Sequence, residues 1–355
     1  MTTTERRVLP AGTLLVRSPS RRIVIRVQRR SLRLTALITA AALGVAAYSL
    51  TVGHFPLDVV DVLRVLSGGG TLIEYDVVVA DRLPRALTGL GVGAAFALSG
   101  AILQRIATNP LVSPEIIGIN AGASLGALVV SVVLGGAGVA LVGGALAGAF
   151  VAMALIVVAA TKDGLDGYRL VLVGIGVTAI LTSAISYVLT TASVYQAHTA
   201  AMWLTGSLAN RDWNHVWFAA AALVVVVPPL LVLARSLPLL ELGDELANSL
   251  AGQRGPHRTA LVVLAAAAAT LATAAAGPVA FVALVAPQIV RRLLVERGAG
   301  LAPAAATGAL LVVGADLAAR SLFPAELPVG VVTALLGAPV LVYLLARATR
   351  IGHAG

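Results

Sequence analysis

The chain contains no cysteine and only one lysine, and both absences narrow its chemistry. Without cysteine, disulfide bonds, thiol catalysis and cysteine–metal sites are excluded. Lys162 lies in Thr161-Lys162-Asp163-Gly164, which is not the GxxxxGK[ST] loop that cradles nucleotide phosphates. The chain therefore cannot bind ATP in the P-loop manner, and any ATP must be bound by a partner subunit. The five histidines show no metal-ligand spacing. We predict no catalytic residue, metal or cofactor site in this chain.

Charge is also scarce, because only 12% of the residues are charged, against about 25% in soluble domains. Instead, 59% are hydrophobic, and the mean hydropathy is +0.96. Apolar runs of ~20 residues recur along the chain, which is the length that crosses ~30 Å of hydrocarbon as a helix. Lipid leaves no partner for unpaired backbone groups, so the spanning segments must be helical. The predicted fold class is all-α, and the chain is a polytopic membrane protein whose helices cross a lipid bilayer.

We predict about ten transmembrane helices, which form one domain over residues 34–347. An Arg-rich tail over residues 1–33 precedes them and is expected to be disordered, and a short C-terminus over 348–355 follows. Ten crossings place both termini on one side of the membrane. The predicted helices cover about residues 34–52, 86–106, 116–134, 139–160, 170–189, 216–233, 260–276, 279–295, 302–322 and 329–346.

The arginines orient this topology. Positive residues of a membrane protein concentrate in its cytoplasmic segments, so the net charge of +9 needs no nucleic-acid partner. With the Arg-rich tail inside, most of the 25 lysines and arginines also lie inside. Both termini are therefore predicted to be cytoplasmic. The exceptions, on the outer side, are Arg64, Arg82, Arg85, Arg211 and Arg320.

The stretch from Arg82 to Gly126 combines small residues with a sharp polar break. Asn109-Pro110 and Ser113-Pro114 interrupt it, and each proline biases the residue before it away from helix. Beyond the break, glycines recur at every fourth position, on one helical face. Such a face lets another helix approach closely within lipid. These glycines are Gly118, Gly122 and Gly126.

Two further patterns lie within predicted helices. Asp316 precedes Arg320 by one turn, which suits an ion pair, and a buried acid in a membrane helix is a functional hypothesis by default. A structural ion pair and a proton relay both fit, but one isolated acid makes a poor relay. On the predicted fifth helix, three hydroxyl residues share a face that either lines a pathway or hydrogen-bonds its own backbone. They are Thr178, Thr182 and Ser186.

The segment from Leu239 to Gly255 is predicted to be a short amphipathic helix on the cytoplasmic side. Leu242, Leu246 and Leu250 are four apart and form one apolar stripe. Asp244 and Glu245 come early, where a helix dipole favours acids. By pattern alone the segment either docks a partner or lies at the membrane interface.

Several strings together resemble one family. The strings RLPR, GAAFALSGAILQ and NPLVSPEIIGINAGASLGA resemble the permeases of bacterial ATP-binding-cassette importers for iron–siderophore complexes, haem and vitamin B12, the FecCD-type permeases. The later GPVAFVALVAPQIVRR is similar to the family's FVGLxxPHxxR, with Gln288 in place of His and Ala283 in place of Gly. The resemblance covers about residues 50–347.

The resemblance implies a type II importer permease in the cytoplasmic (inner) membrane. It implies a second permease subunit, identical or related, two cytoplasmic ATPase subunits, and an external substrate-binding protein. Transport would proceed by alternating access, and this subunit would carry out no bond chemistry. The implied cargo is a ferric siderophore, with cobalamin or haem as alternatives. An ion-coupled secondary transporter is the rival from another class, and it would need buried ionisable residues or broken helices.

The resemblance also assigns roles to residues. Arg82, Arg85 and Arg320 match family arginines that face acidic residues of the binding protein, whereas by themselves they read as arginines snorkelling at helix ends. The fifth and tenth helices would line the channel, which makes Thr178, Thr182 and Ser186 pathway residues. The ATPase-docking loop would comprise Leu242, Gly243, Asp244, Glu245, Leu246, Leu250 and Gly252.

Overall fold

The computed structural model describes residues 13–17, 24–136, 138–160, 167–241, 249, 255–294, 300–323 and 325–352. Within these ranges all regular structure is helical except one hairpin, β1 (Thr13–Arg17) and β2 (Val24–Gln28). The two strands pair antiparallel.

Within the described ranges, fifteen α-helices follow in chain order. They are α1 (Arg29–Ser49), α2 (Val59–Leu66), α3 (Leu72–Tyr75), α4 (Leu83–Ile106), α5 (Pro114–Ile117), α6 (Ile119–Leu128), α7 (Val139–Ala160), α8 (Gly167–Thr191), α9 (Val194–Leu204), α10 (Trp213–Leu233), α11 (Leu237–Leu240), α12 (Gly255–Ala276), α13 (Val282–Leu293), α14 (Leu301–Ser321) and α15 (Val329–Gly352). A π-helical segment, Asp76–Arg82, joins α3 to α4, and another, Val129–Val133, prolongs α6.

Each of the ten predicted transmembrane helices has a counterpart in the structure. Among the described residues, seven helices are long and apolar enough to cross a membrane, and they contain α1, α4, α7, α8, α10, α12 and α14. The predicted third and tenth helices correspond to the shorter apolar segments Ile119–Val133 and Val329–Tyr343. The predicted eighth is α13, which has only 12 residues. The all-α polytopic fold is confirmed.

The two ends differ from the prediction. The tail was expected to be disordered, but β1 and β2 pair within it, and α1 begins at Arg29 instead of Leu34. Both strands are rich in β-branched and aliphatic residues, which favour strands. The prediction of disorder rested on the many arginines of the tail and overlooked these two short apolar runs. At the other end, α15 continues through the predicted boundary at residue 347 as far as Gly352.

Helix α4 is the centre of the bundle, and most of its residues are buried. It packs against α10, α12, α13 and α14. One close crossing is with α14, where Gly93 and Gly308 face each other without side chains. A Cβ atom at either glycine would overlap the carbonyl oxygen of the other. Lipid gives helices no hydrophobic drive to associate, so this close van der Waals packing is a main source of the bundle's stability.

Replacing Gly308 with Ala is expected to destabilise the bundle by about 1–3 kcal/mol, because the new methyl group forces α4 and α14 apart. The matched control is Gly314→Ala on the same helix, where a Cβ would meet nothing within 4 Å. That variant is expected to be neutral or slightly stabilising, since alanine favours helix over glycine. Thermal unfolding of the purified permease measures both, and equal melting temperatures for the two variants would contradict the packing argument.

The predicted glycine face divides between two roles. Gly122 and Gly126 lie against α7, where Cβ atoms would overlap the carbonyls of Gly148 and Gly144. Gly118 instead separates α5 from α6, with φ of 99° in the left-handed region that favours glycine. The predicted third helix is therefore broken near its start.

Candidate functional site

An arginine network joins the start of α4 to the end of α14. Arg85 Nε donates to both carboxylate oxygens of Asp316 at 3.1 Å, and its Nη2 donates to Oδ1 at 2.8 Å. The side chains of Arg85 and Asp316 are only 9% and 4% exposed. The same Nη2 lies 2.6 Å from Oε1 of Glu326, in the connection before α15. Arg85 is thus held by two acids from two different segments.

Asp316 also contacts Arg320, the partner that the sequence pattern assigned to it. Arg320 Nε lies 3.2 Å from Asp316 Oδ2, and Arg320 Nη1 donates to the backbone oxygen of Val52 at 3.0 Å. The network therefore places one buried acid between two arginines. This geometry is a structural ion pair, extended by a partner that helix periodicity does not reveal.

Arg82 occupies a neighbouring position with a different set of contacts. Its Nη1 donates to the Leu50 oxygen at 2.7 Å, and its Nη2 donates to the Phe55 oxygen at 2.6 Å. These carbonyls lie just beyond the end of α1, where the backbone leaves its helix. Arg82 therefore fastens the segment after α1 to the start of α4.

The three arginines predicted to dock a binding protein are thus directed inward. Arg82 and Arg85 are 5% and 7% exposed, and Arg320 keeps a side chain only 9% exposed. Their guanidinium groups already bind backbone oxygens or carboxylates of this chain. Docking through them stays a prediction, and a charge reversal such as Arg82→Glu would disturb the fold before it tests docking.

The remaining two predicted outer cations differ in exposure. Arg211 donates from Nε to the Ser207 oxygen at 3.0 Å. Burial lowers the pKa of Arg211 to about 10, although the carboxylate of Asp212 opposes the shift, so the side chain stays charged at neutral pH. Arg64 on α2 has a side chain 51% exposed and pairs with Asp61 at 3.0 Å. Of the five, Arg64 presents the most open charge.

A second cluster, which we call the central joint, forms where the broken third helix meets other elements. It comprises Ser113, Glu115, Ile116, Thr178 and Phe281. Both carboxylate oxygens of Glu115 accept the backbone N–H of Phe281, each at 3.2 Å. Ser113 Oγ donates to Glu115 Oε1 at 3.3 Å. The short helix α5 is therefore tied to the residue that precedes α13.

Phe281 holds an unusual backbone conformation in this joint. Its φ is 64°, in the left-handed region that residues with a Cβ rarely adopt. Its ring lies against Gly337 of α15, where a Cβ would overlap the phenylalanine side chain. Strained residues of this kind cluster at functional sites, because surrounding contacts must hold them. Glu115 supplies one of those contacts.

The predicted pathway hydroxyls lie on α8 beside this joint. Thr178 Oγ1 donates to its own helix at Gly174 O, 2.7 Å away, and also lies 3.2 Å from Ile116 O of α5. Ser186 Oγ donates to Thr182 O at 3.0 Å, and both residues are exposed. The hydroxyl groups of Thr178 and Ser186 thus bond the backbone, as one of the two alternatives proposed. Pathway lining stays a prediction for the exposed pair.

Gln288, where the resembled family has histidine, bridges α13 to the break. Its amide nitrogen donates to Gln104 Oε1 and to the Pro110 oxygen, the latter at 3.3 Å. Gln104 in turn donates to the oxygens of Ala283 and Leu284, at 3.3 and 3.1 Å. A neutral amide pair therefore links the end of α4 to α13 without a titrating imidazole.

The predicted ATPase-docking residues Leu242, Gly243, Asp244, Glu245, Leu246, Leu250 and Gly252 lie outside the described residues. The nearest described element is α11, which ends at Leu240. Glu241 follows it and forms an ion pair with Arg105 of α4 at 3.0 Å. The chain leading into the predicted loop is thereby anchored to the end of the central helix.

Sequence reasoning did not predict the contact of Glu115 with Phe281 or that of Arg85 with Glu326. Glu115 stands alone between Pro114 and an apolar run, and an isolated acid at a helix break was a usable signal. Nothing local links Phe281 to Glu115 or Glu326 to Arg85, because these partners lie far apart along the chain. Within the described residues, no group of three or more His, Cys, Asp or Glu residues is arranged to hold a metal ion.

Comparison with known proteins agrees with this architecture. The model of the FecCD transport family matches residues 41–347. The ferric enterobactin transport system permease protein FepG of Escherichia coli is 38% identical, over 92% of this chain and 99% of its own length. The iron(3+)-hydroxamate import system permease protein FhuG of Bacillus subtilis is 37% identical, over 84% and 92%. The Fe(3+) dicitrate transport system permease protein FecD of Escherichia coli is 39% identical, over 88% and 98%.

A solved structure also resembles the chain. It is an inward-facing conformation of a metal-chelate type ABC transporter, with a TM-score of 0.79 and 28% identity. The match covers 89% of this chain and 99% of the solved one. The similarity therefore extends over nearly the whole helical bundle.

Proposed function

The chain belongs to the FecCD transport family and is a membrane permease of an ATP-binding-cassette importer, and from this premise we propose that its cargo is a ferric siderophore. The observation that carries the proposal is the chemistry named for three relatives. They transport ferric enterobactin, iron(3+)-hydroxamate and Fe(3+) dicitrate, each an iron chelate. Cobalamin and haem are the alternatives within the same machinery.

We propose that the working unit contains a second permease subunit, identical or related, packed along α8 and α15. Support comes from the large apolar side chains that both helices expose. Ile175 and Ile180 of α8 are 52% and 71% exposed, and Leu335 and Leu336 of α15 are 63% and 57% exposed. A partner subunit would cover these side chains and enclose the hydroxyl face of α8 in a shared channel.

We propose that two ATPase subunits bind on the cytoplasmic side, where both termini also lie, and that an external binding protein delivers the cargo. The absence of a phosphate-binding loop in the sequence requires the nucleotide to bind elsewhere. The predicted docking loop follows Glu241, which forms an ion pair with Arg105 of α4. A displacement of the loop would be transmitted to α4 through this pair. ATP binding and hydrolysis would thereby drive alternating access, and this subunit itself would carry out no bond chemistry.

An ion-coupled secondary transporter deserves comparison, because the structure contains buried acids and a helix broken at Gly118. Such a transporter uses these features to bind its coupling ion. Asp316 is already neutralised by Arg85 and Arg320, and Glu115 accepts the Phe281 N–H. Both acids therefore have structural partners, which favours the ATP-driven reading.

Cargo identity is tested by uptake in a strain that lacks this gene. We expect the deletion to remove uptake of one radio-iron siderophore, and the wild-type gene to restore it. The cargo panel contains ferric enterobactin, a ferric hydroxamate, ferric dicitrate and labelled cobalamin. Loss of cobalamin uptake alone would overturn the siderophore proposal. If every uptake persists, the purified and reconstituted transporter must accumulate a ferric siderophore, and failure there would overturn it too.

Coupling to the ATPase is tested by the double variant Gly243→Asp, Glu245→Arg. We expect it to abolish rescue of uptake, because a charge and a bulkier side chain would disrupt the docking surface. The control is Lys162→Glu, Asp163→Arg, which alters the charges of another predicted cytoplasmic loop and should leave rescue intact. Full rescue by the Gly243 and Glu245 double variant would disprove the docking role and favour a secondary transporter.

A further inference from the structure

An apolar groove runs along one side of the bundle, between α1 and α10. Its volume is about 470 Å³. Thr39 and Leu43 of α1 form one wall, and Leu230 and Leu231 of α10 form the other. The floor belongs to α4 and α14, including Ala305 and Ala309. No lining residue lies on α8 or α15, so the groove is separate from the proposed subunit interface and pathway.

Side-chain size explains why this space remains open. Both α1 and α10 pack against α4, and α1 also packs against α14, so the helices are held at fixed positions. The α14 part of the floor is mostly alanine, whereas the walls include Leu43, Leu230 and Leu231. Small residues beneath large ones leave a trough that the chain itself does not fill. Within a bilayer, the molecules that lie next to such an apolar groove are lipids.

The length of the groove matches one lipid leaflet. Its floor on α14 extends from Leu301, the first residue of the helix, to Ala309. Eight residues of α-helix span about 12 Å, and half of the hydrocarbon core is about 15 Å thick. The groove therefore extends from one helix end towards the middle of the bilayer, as the acyl chain of a phospholipid does.

Positive charge gathers at the open end of this groove, next to Ala234. Arg235 directly follows Ala234, a lining residue at the end of α10, and it is exposed. Helix α1 begins at the same end of the bundle, because Leu34 and Leu301 pack against the same apolar cluster, which contains Ala304. Its first two turns carry the exposed Arg29, Arg30 and Arg33, with no acid in the first turn. None of these four arginines pairs with an acidic side chain among the described residues.

We propose that the groove binds one acyl chain of an anionic phospholipid, whose phosphate lies against Arg235 and the arginines at the start of α1. Basic pockets between transmembrane helices on the cytoplasmic side recognise anionic headgroups in this way. The bound lipid would complete the packing between α1 and α10. The inference does not depend on the cargo or on the ATPase.

Native mass spectrometry of the purified permease tests the proposal, after reconstitution in nanodiscs that mix phosphatidylglycerol with phosphatidylcholine. We expect one phosphatidylglycerol to remain bound to the wild type. Ala305→Phe fills the groove and should lose it. Arg235→Gln removes charge but keeps the groove, so the preference for phosphatidylglycerol over phosphatidylcholine should fall about fivefold.

Two controls separate groove binding from general lipid association. Ala41→Phe adds the same side chain at an exposed position of α1, and Arg64→Gln removes an exposed arginine from α2. Both should retain the lipid as the wild type does, and melting temperatures show that every variant is folded. Equal retention by folded Ala305→Phe and wild type would overturn the acyl-chain site. An unchanged headgroup preference in Arg235→Gln would overturn the role of the arginines.

Discussion

Replacing Asp316 with Ala is expected to remove most of the folded permease from membrane extracts. The substitution leaves Arg320 without its acid and Arg85 with only the half-exposed Glu326. Breaking a buried ion pair by removing one partner destabilises a protein by about 3–5 kcal/mol. That loss is a large fraction of the roughly 5–15 kcal/mol by which native proteins are stable. Yield of monodisperse protein on size-exclusion chromatography and the melting temperature provide the measurement.

The matched control is Asp61→Ala, which breaks the exposed pair with Arg64 on α2 and one exposed hydrogen bond from the Asp58 backbone N–H. Exposed ion pairs contribute about 0–1 kcal/mol, so this variant should unfold close to the wild-type temperature. The double variant Asp316→Leu, Arg85→Met should recover part of the lost stability, because apolar residues can replace a buried pair. Equal melting temperatures for Asp316→Ala and Asp61→Ala would show that the buried network does not stabilise the fold more than the exposed pair does.

The same network shows which contacts a local sequence pattern predicts and which it does not. The spacing of Asp316 and Arg320 predicted an ion pair within one helix, and both residues are indeed in contact. Arg85, which makes the closest contacts with Asp316, lies 231 residues away along the chain. No periodicity connects positions so distant, since their meeting depends on how α4 and α14 cross. Similarly, Gly122 and Gly126 predicted close packing of the third helix without identifying its partner, which is α7.

The positions of the helices were predictable, whereas their ends were less so. Apolar runs must be about as long as the bilayer is thick, so composition alone located the ten segments. Helix α13 begins at Val282 instead of residue 279 because Pro278 and the left-handed Phe281 precede it. Similarly, the break at Gly118 depends on the left-handed backbone conformation of that residue. The neighbouring residues Ile117 and Ile119 give no sequence signal that predicts it.

The arginines illustrate a second limit. Counting positive residues on each side of the membrane predicts orientation, but it does not report burial. Arg82 and Arg85 were assigned to an exposed docking surface, yet both are buried against their own chain. An arginine near a helix end is able to bind free carbonyls there, as Arg82 does with Leu50 and Phe55. Sequence cannot distinguish this arrangement from an arginine that faces water.

The central joint leads to the second large effect. Replacing Glu115 with Ala is expected to lower the initial rate of uptake by about 10- to 100-fold. The substitution removes both acceptors of the Phe281 N–H. A hydrogen bond to a charged group contributes about 1.5–3 kcal/mol, which corresponds to that range in an equilibrium constant. Phe281 also occupies a left-handed conformation that costs about 1–3 kcal/mol, so without Glu115 it should relax.

Relaxation of Phe281 would affect the pathway because its ring lies against Gly337 of α15. Helices α8 and α15 are the two that we propose to line the channel, and Thr178 of α8 contacts the same short helix α5 that carries Glu115. A change in this joint therefore displaces both channel walls together. The expected result is a folded permease that changes conformation more slowly during the alternating-access cycle.

Glu115→Gln is the conservative variant that separates this explanation from simple loss of folding. Its amide oxygen still accepts the Phe281 N–H, so uptake should recover to within a few-fold of wild type. Glu115→Ala should keep a melting temperature well above that of Asp316→Ala. It removes the acceptor of one backbone N–H, whereas Asp316→Ala breaks a buried ion-pair network. Wild-type uptake by folded Glu115→Ala would show that the joint is passive. A slow Glu115→Gln would instead show that transport needs the carboxylate charge, in addition to an acceptor for Phe281.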